Sequence, residues 1–450
     1  MNQSTLVVIS AILLLATVST SVASFADGTS NLQECIPNGQ YNASVNYFPV
    51  RTVISNSTLF NVTYTNSYKV VTDTADGTTY VLYQCGSPKP DASLFAAGAK
   101  FFSVPVTKVL TSQTPNNPYL LLLGLQSKIK YVDSAAYICS PCVQMALEKG
   151  EILPYNSSAV PSQMDSVDVA FTYMKDNKTN TVMTRESTDP GPLHRAGWLQ
   201  FYAFFFNAEN VSKTVFGGIS DNYHCFANAT RITLDARRST MQKVAWASYS
   251  APSKYNGNKA SWTISAAAYK AKITADGGAQ LAPALTTSNS SEFLAALADV
   301  DVLIDETYMI SNYSHFMSEY RIDPNVTNFK FIKQNRVYRQ DGLMNSVGSR
   351  DWLESGISYD DAVMQEFVRI TYPVVLPTAV KPLWFRNLAT GEQPLILTSA
   401  NCTNYNDIVH IYKDRVINCA AMPLNLSSSP VLLPSLITLF AAVLISMLIL

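Results

Sequence analysis

Twice along this chain, short apolar segments of strand character alternate with segments of helical periodicity, and a long aromatic helical stretch separates the two series. That alternation is the strongest constraint on the fold, because repeated strand–helix–strand passages build parallel sheets covered by helices. In the first series Val106 to Leu110 reads as a strand, Ser112-Gln113-Thr114-Pro115 as a turn and N-cap, and Tyr119 to Gly124 as an apolar helix ended by glycine. Ile129 to Val132 is the next strand, and a helix follows from Val143 to about Gly150. In the second series Val244 to Tyr249 is a strand, Ile264 to Asp276 a helix capped by Gly277-Gly278, and Ser291 to Ala298 a helix. Val300 to Ile304 is a strand and Tyr359 to Ile370 a helix. Between the series, Pro192 to Phe206 carries Trp198, Phe201, Tyr202, Phe204, Phe205 and Phe206, a stripe read as core, and an amphipathic helix follows from Val211 to about His224. The expected fold is α/β: two parallel-sheet lobes joined by a long helical segment, with a ligand cleft between them. Ahead of the lobes, Tyr47 to Cys85 alternates apolar and polar residues around Asp76-Gly77, which predicts a hairpin in an N-terminal β-rich extension.

Both ends of the chain read as processing signals. Val431 to Leu450 is uncharged and follows the small polar run Asn425-Leu426-Ser427-Ser428-Ser429. With no Lys or Arg after it, this is the layout of a glycosylphosphatidylinositol (GPI) attachment signal, the attachment residue being one of Asn425, Ser427 and Ser428. The alternative is a single transmembrane helix. At the other end an apolar run from Leu6 to Val18 precedes Val22-Ala23-Ser24, as in a secretory signal peptide. The expected location is the cell surface, on the outer leaflet of the plasma membrane, reached through the secretory pathway. Twelve Asn-X-Ser/Thr sequons agree with that route: Asn42, Asn56, Asn61, Asn156, Asn177, Asn210, Asn228, Asn289, Asn312, Asn325, Asn401 and Asn425.

A net charge of −1 gives no electrostatic case for nucleic acid. Seven cysteines leave at least one thiol free or paired outside the chain. Cys402 and Cys419 are near neighbours in sequence and are expected to pair. Cys139-Ser-Pro-Cys142 has redox spacing but no thioredoxin-type flanks, so a structural disulfide role is favoured over redox chemistry. His194, His224, His315 and His410 are scattered, which gives no metal-ligand spacing. No Gly-x-Ser-x-Gly elbow and no phosphate loop occurs, so the chain reads as a non-enzyme.

Several stretches resemble bacterial periplasmic binding proteins for iron–siderophores and cobalamin. They are Val104-Pro-Val-Thr-Lys-Val-Leu-Thr-Ser-Gln-Thr-Pro115 with Leu122-Leu-Gly-Leu-Gln-Ser-Lys-Ile129, then Leu193-His-Arg-Ala-Gly-Trp198 with Phe204-Phe-Phe-Asn207. Asp299-Val-Asp-Val-Leu-Ile-Asp-Glu-Thr-Tyr308, Asn335-Arg-Val-Tyr-Arg-Gln-Asp-Gly342 and Asp351-Trp-Leu-Glu-Ser-Gly356 follow in the same order as in that family. The resemblance covers about Val104 to Leu376 and implies a non-catalytic binding module with a rigid connecting helix. Its implied ligand is a metal chelate of siderophore, cobalamin or haem type, with no intrinsic cofactor and with a surface uptake receptor or reductase as downstream partner. The residues Cys35 to Pro90, the cysteines and the GPI signal are departures. A GPI-anchored protein has no importer beneath it, so the transport role does not carry over. The alternative is a structural or adhesive surface glycoprotein that kept the fold and lost the ligand.

The expected division is signal peptide 1–24, β-rich extension 25–100, first lobe 101–192, connecting helical segment 193–225, second lobe 226–424 and GPI signal 425–450. Ser112 and Thr114 lie where a strand ends and a helix starts, as ligand contacts or as a plain N-cap. Trp246 and Tyr249 precede a Gly/Asn/Ser-rich loop that reaches Trp262, as cleft or as packing. Tyr308 follows the late strand. Arg350 is a partner for a ligand carboxylate or phosphate, or for Asp351 or Glu354. Trp352 completes the expected convergence of Trp246, Tyr249, Trp262, Tyr308 and Trp352 on one opening. Arg195 reads as structural, holding the connecting helix to a lobe.

Overall fold

The computed structural model describes residues 30–422, apart from residues 56, 157–159, 324, 326–327, 378–379 and 404–414. The expected signal peptide, the GPI signal with Asn425, Ser427 and Ser428, and the Asn56 sequon lie outside the described residues. No described helix is long and apolar enough to cross a membrane.

The expected hairpin forms the middle of a four-stranded sheet. Tyr68–Asp73 and Thr79–Gln84 run antiparallel around Gly77, whose φ of 75° suits glycine. Phe60–Tyr64 pairs on one side and Lys100–Val104 on the other. The sheet's apolar face does not stand alone. Phe60 meets Trp198, Phe201 and Phe204 edge-on, and Tyr80 and Phe102 pack on Phe205. The aromatic stripe of the connecting segment is thus core, shared between the extension and the first lobe. Lys69, fully buried, bonds Glu209 at 2.7 Å along with the Phe204 carbonyl and Asn207 Oδ1, which locks the sheet onto the start of the long helix.

The first lobe holds a five-stranded, wholly parallel sheet in the spatial order Leu153–Pro154, Ile129–Val132, Val109–Thr111, Val169–Thr172, Thr181–Met183. The chain starts at the central strand, builds two strands to one side, then crosses to build two on the other. The topological switch therefore lies just beyond Thr111 and Thr172. Helices Asn116–Leu122 and Pro141–Glu148 follow the strands as expected, each a few residues earlier than the apolar pattern suggested.

The connecting segment comprises Pro192–Ala196, Trp198–Phe204 and the long helix Glu209–Arg237, which runs well beyond residue 224. Arg195 ties the connecting segment to the first lobe, as expected, and also reaches the second. Its guanidinium bonds the Ser187 and Asp189 carbonyls and lies 3.8 Å from the centre of the Tyr269 ring.

The second lobe's sheet has parallel strands Lys243–Ser250, Val302–Asp305 and Val337–Arg339 at its centre. Ser261–Ile264, Leu285–Thr287 and Arg386–Asn387 extend its flanks antiparallel. Here the sequence reading needs one correction. Ile264 ends a strand, and the helix is Ala268–Asp276. Trp262-Thr-Ile264 is β-branched and aromatic, and it answers Lys243–Ser250 across a turn-rich loop, so cross-strand pairing wins over helical periodicity.

Three disulfides form: Cys35–Cys85, Cys142–Cys402 and Cys225–Cys419. The expected Cys402–Cys419 bond is therefore wrong. Cys402 lies against helix Pro141–Glu148 of the first lobe and Cys419 against the long helix, so nearness in sequence did not mean nearness in space. Cys139 is free and buried.

Candidate functional site

Five loops that leave the carboxyl ends of strands meet at one opening between the lobes. From the first lobe come Ser112–Pro115 after Val109–Thr111, Asp133 and Ser134 after Ile129–Val132, and Tyr173 after Val169–Thr172. From the second come Tyr308, after Val302–Asp305, and Val347–Arg350, after Leu343–Asn345. With Tyr137 and Leu353 they enclose a cavity of about 490 Å³. It sits at the switch point of the first sheet, where open α/β sheets place ligands.

Of the eight expected ligand residues, Ser112, Thr114, Tyr308 and Arg350 come together here. Ser112 Oγ is buried without a hydrogen-bond partner, beside Gln113, whose amide bonds Glu186 Oε1 at 2.9 Å. Asn116 and Tyr202 also engage Glu186, so the cleft floor rests on a buried polar network. Burial raises the Glu186 carboxyl pKa above its ordinary value. On the opposite wall Arg350 Nη2 donates to the Thr307 carbonyl at 3.3 Å, and its guanidinium lies 6.0 Å from the centre of the Tyr308 ring. Burial, then the nearby Arg339 guanidinium, lowers the Arg350 pKa. An anion in the cleft would oppose that shift by favouring the charged guanidinium.

The loop bearing Arg350 is held by Asn345. Its Oδ1 accepts the Val347 and Ser349 N–H groups, and Gly348 takes φ 88° to complete the turn. Its Nδ2 reaches across to the Ala136 and Ile138 carbonyls of the first lobe. With the Cys142–Cys402 bond and the Tyr119 hydroxyl on the Ile357 carbonyl, this fixes the lobes against each other. The cleft is preformed.

Trp246, Tyr249, Trp262 and Trp352 do not join the site, which corrects the expected convergence of five aromatics. Trp246 is fully buried in mid-strand, with its indole N–H on Thr274 Oγ1 and its ring against Phe367, Phe385 and Trp352. Tyr249 and Trp262 pair across neighbouring antiparallel strands and pack into a different core on the sheet's other face. An odd separation along one strand sends Trp246 and Tyr249 to opposite faces. Trp352 packs on Trp384 and Phe385. In each case a tryptophan near a loop was core.

The residues missed are Gln113, Asp133, Ser134, Tyr137, Tyr173, Val347 and Leu353. Asp133 and Tyr173 were accessible to the same rule that selected Ser112, since each directly follows an apolar strand. Tyr137, Tyr173 and Tyr308 are all more than half exposed, with Met174, Met309, Val347 and Leu353 beside them in sequence or in the wall. Much of the exposed large apolar surface is thus gathered around one mouth.

A larger cavity of about 810 Å³ lies along the long helix between Leu122, Ile219 and Ala420. Burial raises the pKa of Asp361, in its wall, to about 6.

A grouping of Ser57, Asp189 and His194 has the wrong order for nucleophilic catalysis. Asp189 Oδ2 accepts from Ser57 Oγ at 2.7 Å, while His194 Nδ1 stands 3.3 Å from Asp189 Oδ1. The carboxylate separates the hydroxyl from the imidazole that would have to deprotonate it.

No protein-family model and no curated protein matches the chain. Among solved structures it is similar to a periplasmic binding protein from Veillonella parvula, at 13% identity over 70% of this chain and 98% of that one, with a TM-score of 0.43. It is similar to a periplasmic haem-binding protein from Pseudomonas aeruginosa, at 12% identity over 64% and 99%, with a TM-score of 0.40. A third is the FhuD fold-family component of a ferrichrome-type ABC transporter from Bacillus subtilis, at 13% identity over 59% and 97%, with a TM-score of 0.39.

Proposed function

We propose that the chain is a non-catalytic solute-binding protein of the cell surface, and that the inter-lobe cleft holds its ligand. The observation that carries this reading is the meeting of loops from the carboxyl ends of strands in both lobes around one preformed cavity. Its volume of about 490 Å³ falls within the usual range of small-molecule sites, about 300–1,000 Å³. Arg350 supplies positive charge, and the rim tyrosines supply aromatic faces beside hydroxyls. Such a lining suits a ligand with a flat or partly apolar body and anionic groups, which is the chemistry of a metal chelate of siderophore, cobalamin or haem type. The protein would carry no cofactor of its own and would pass its ligand to a surface receptor or reductase.

Anchoring by GPI and the division into extension, two lobes and connecting segment belong to the same proposal. The described sequons are compatible with it. Asn42, Asn61, Asn156, Asn177, Asn228, Asn289, Asn312 and Asn325 are exposed, and Asn210 and Asn401 are half-buried. Asn289 and Asn312 cap helices through Oδ1, a role that does not use the Nδ2 atom to which glycan attaches.

The test is a thermal-shift panel of ferric siderophores, haem and cobalamin on the glycosylated ectodomain. One class should raise the melting temperature of the wild type but not of Arg350→Ala. No shift from any ligand would favour a structural or adhesive glycoprotein. Release from cells by phosphatidylinositol-specific phospholipase C tests the anchor separately, and retention with a peptide from Val431 onward would establish a transmembrane helix.

A further inference from the structure

Behind the cleft wall, at the seam between the lobes, three buried ligand-type side chains meet. Cys139 Sγ, a carboxylate oxygen of Asp351 and one of Glu354 lie within 4.8 Å of one another. Their residues are 0%, 0% and 1% exposed. Cys139 comes from the loop before helix Pro141–Glu148 of the first lobe, and the carboxylates come from the turn Asp351–Glu354 of the second. All six remaining cysteines are in disulfides, so Cys139 is the chain's only thiol.

A buried thiol and two hydrogen-bonded acids would not by themselves amount to a site. A separate observation points to a missing partner. Glu354 Oε2 takes the Cys139 N–H, but Glu354 Oε1 is buried with no hydrogen-bond partner. Leaving a buried carboxylate oxygen bare is costly, and native structures seldom do so without an ion or water to meet it. The Asp351 carboxylate, by contrast, is oriented by Ser355 Oγ at 2.9 Å and by the Trp384 indole N–H at 2.8 Å, the kind of outer support that holds a metal ligand in place.

We propose that Cys139, Asp351 and Glu354, with the Ser349 carbonyl oxygen, form a site for a divalent cation of borderline softness, with Zn²⁺ the best match. Thiolate and carboxylate together select such an ion over Mg²⁺ or Ca²⁺, which prefer oxygen alone. Bond lengths of about 2.3 Å to sulfur and about 2.1 Å to oxygen place neighbouring ligand atoms of a tetrahedral zinc centre about 3.6 Å apart. Cys139 Sγ, whose S–H donates to the Ser349 carbonyl oxygen at 3.3 Å, already stands close to that spacing, and binding of the ion would release the thiol proton to solvent. The widest pair, at up to 4.8 Å, needs to close by about 1 Å, within the reach of side-chain rotation. The ion would join a loop of one lobe to a turn of the other directly behind Ser349 and Arg350, bracing the cleft wall. The cation is structural and distinct from any ligand in the cleft.

The test uses the complete secreted chain, stripped with a chelator and titrated with Co²⁺ as probe and Zn²⁺ as competitor. One Co²⁺ per chain should bind with a cobalt–thiolate charge-transfer band, and Zn²⁺ should displace it. Cys139→Ser should abolish the band, and Glu354→Gln should weaken binding at least tenfold. Zn²⁺ should also restore the melting temperature lost on chelation of the wild type, a readout that survives if either variant fails to fold. Absence of the band in the wild type, its persistence in Cys139→Ser, or a melting temperature indifferent to chelation and Zn²⁺ would each overturn the assignment. Cleft binding would be untouched by those failures, since Arg350→Ala reports on it independently.

Discussion

Removing the bond between Cys142 and Cys402 probes how the two lobes are held. The two residues are 260 apart in sequence, but Cys225–Cys419 already shortens the path between them. The effective loop runs 83 residues from Cys142 to Cys225 and 17 back from Cys419 to Cys402, about 100 in all. Chain-entropy arguments put the closure of a loop of that length at about 4.7 kcal/mol, and removal of native disulfides typically costs about 2–5 kcal/mol. The double variant Cys142→Ala/Cys402→Ala should therefore lose about 3–5 kcal/mol. A single serine variant is a poorer test, because Cys139 lies three residues from Cys142 and offers Cys402 another partner. Equilibrium guanidinium unfolding under non-reducing conditions gives the difference, read from the midpoint at unchanged slope. A loss below about 1 kcal/mol, or a non-reduced peptide map showing Cys402 joined to Cys419, would refute the pairing and the bracing role built on it.

Trp262→Ala should cost about 3–5 kcal/mol, because the indole is buried and bonds the Glu319 carbonyl at 2.9 Å; a melting temperature within a degree of wild type would return Trp262 to an exposed loop. Lys69→Met strands Glu209 in a dry core and should cost about 3–5 kcal/mol, with Lys69→Met/Glu209→Leu recovering most of it; equal losses in the single and double variants in urea unfolding would contradict the buried pair. Asp361 has a folded pKa of about 6, above the unfolded value of about 3.9, so its protonated form favours the fold and that contribution is lost as pH rises through 6. Thermal stability measured between pH 4 and 8 should accordingly fall less steeply in Asp361→Asn than in wild type, and parallel curves would show that Asp361 does not titrate in that window.

The lobes were legible in the sequence because parallel strands such as Val109–Thr111 and Val302–Asp305 are fully buried and read as short apolar runs. Ile129–Val132 was found to the residue, and Val302–Asp305 and Asp360–Thr371 to within one or two. The strand Ser261–Ile264 was not legible, since its alternation of half-buried and buried residues spans only four positions between a loop of Asn, Gly and Ser and the helix Ala268–Asp276. Half of the expected ligand residues reached the cleft for a topological reason: position just after a parallel strand is fixed by the fold. The tryptophans failed because aromatic character next to a loop does not tell packing from recognition, and the face a strand residue takes depends on register. The disulfides of the last described segment were illegible for a related reason, as it returns to the first lobe at Cys402 and to the long helix at Cys419, pairing each cysteine with a distant one.

The proposed place for a bound small molecule is the inter-lobe cleft. Native mass spectrometry of the glycosylated ectodomain, with ligand supplied from the class that gives a thermal shift, tests it most directly when wild type is compared with Arg350→Ala and with Ser112→Phe, which fills the cleft. The wild type should carry a one-to-one adduct that is reduced at least tenfold on both variants, with both still folded. An adduct of equal abundance on all three proteins would place the ligand elsewhere and contradict it.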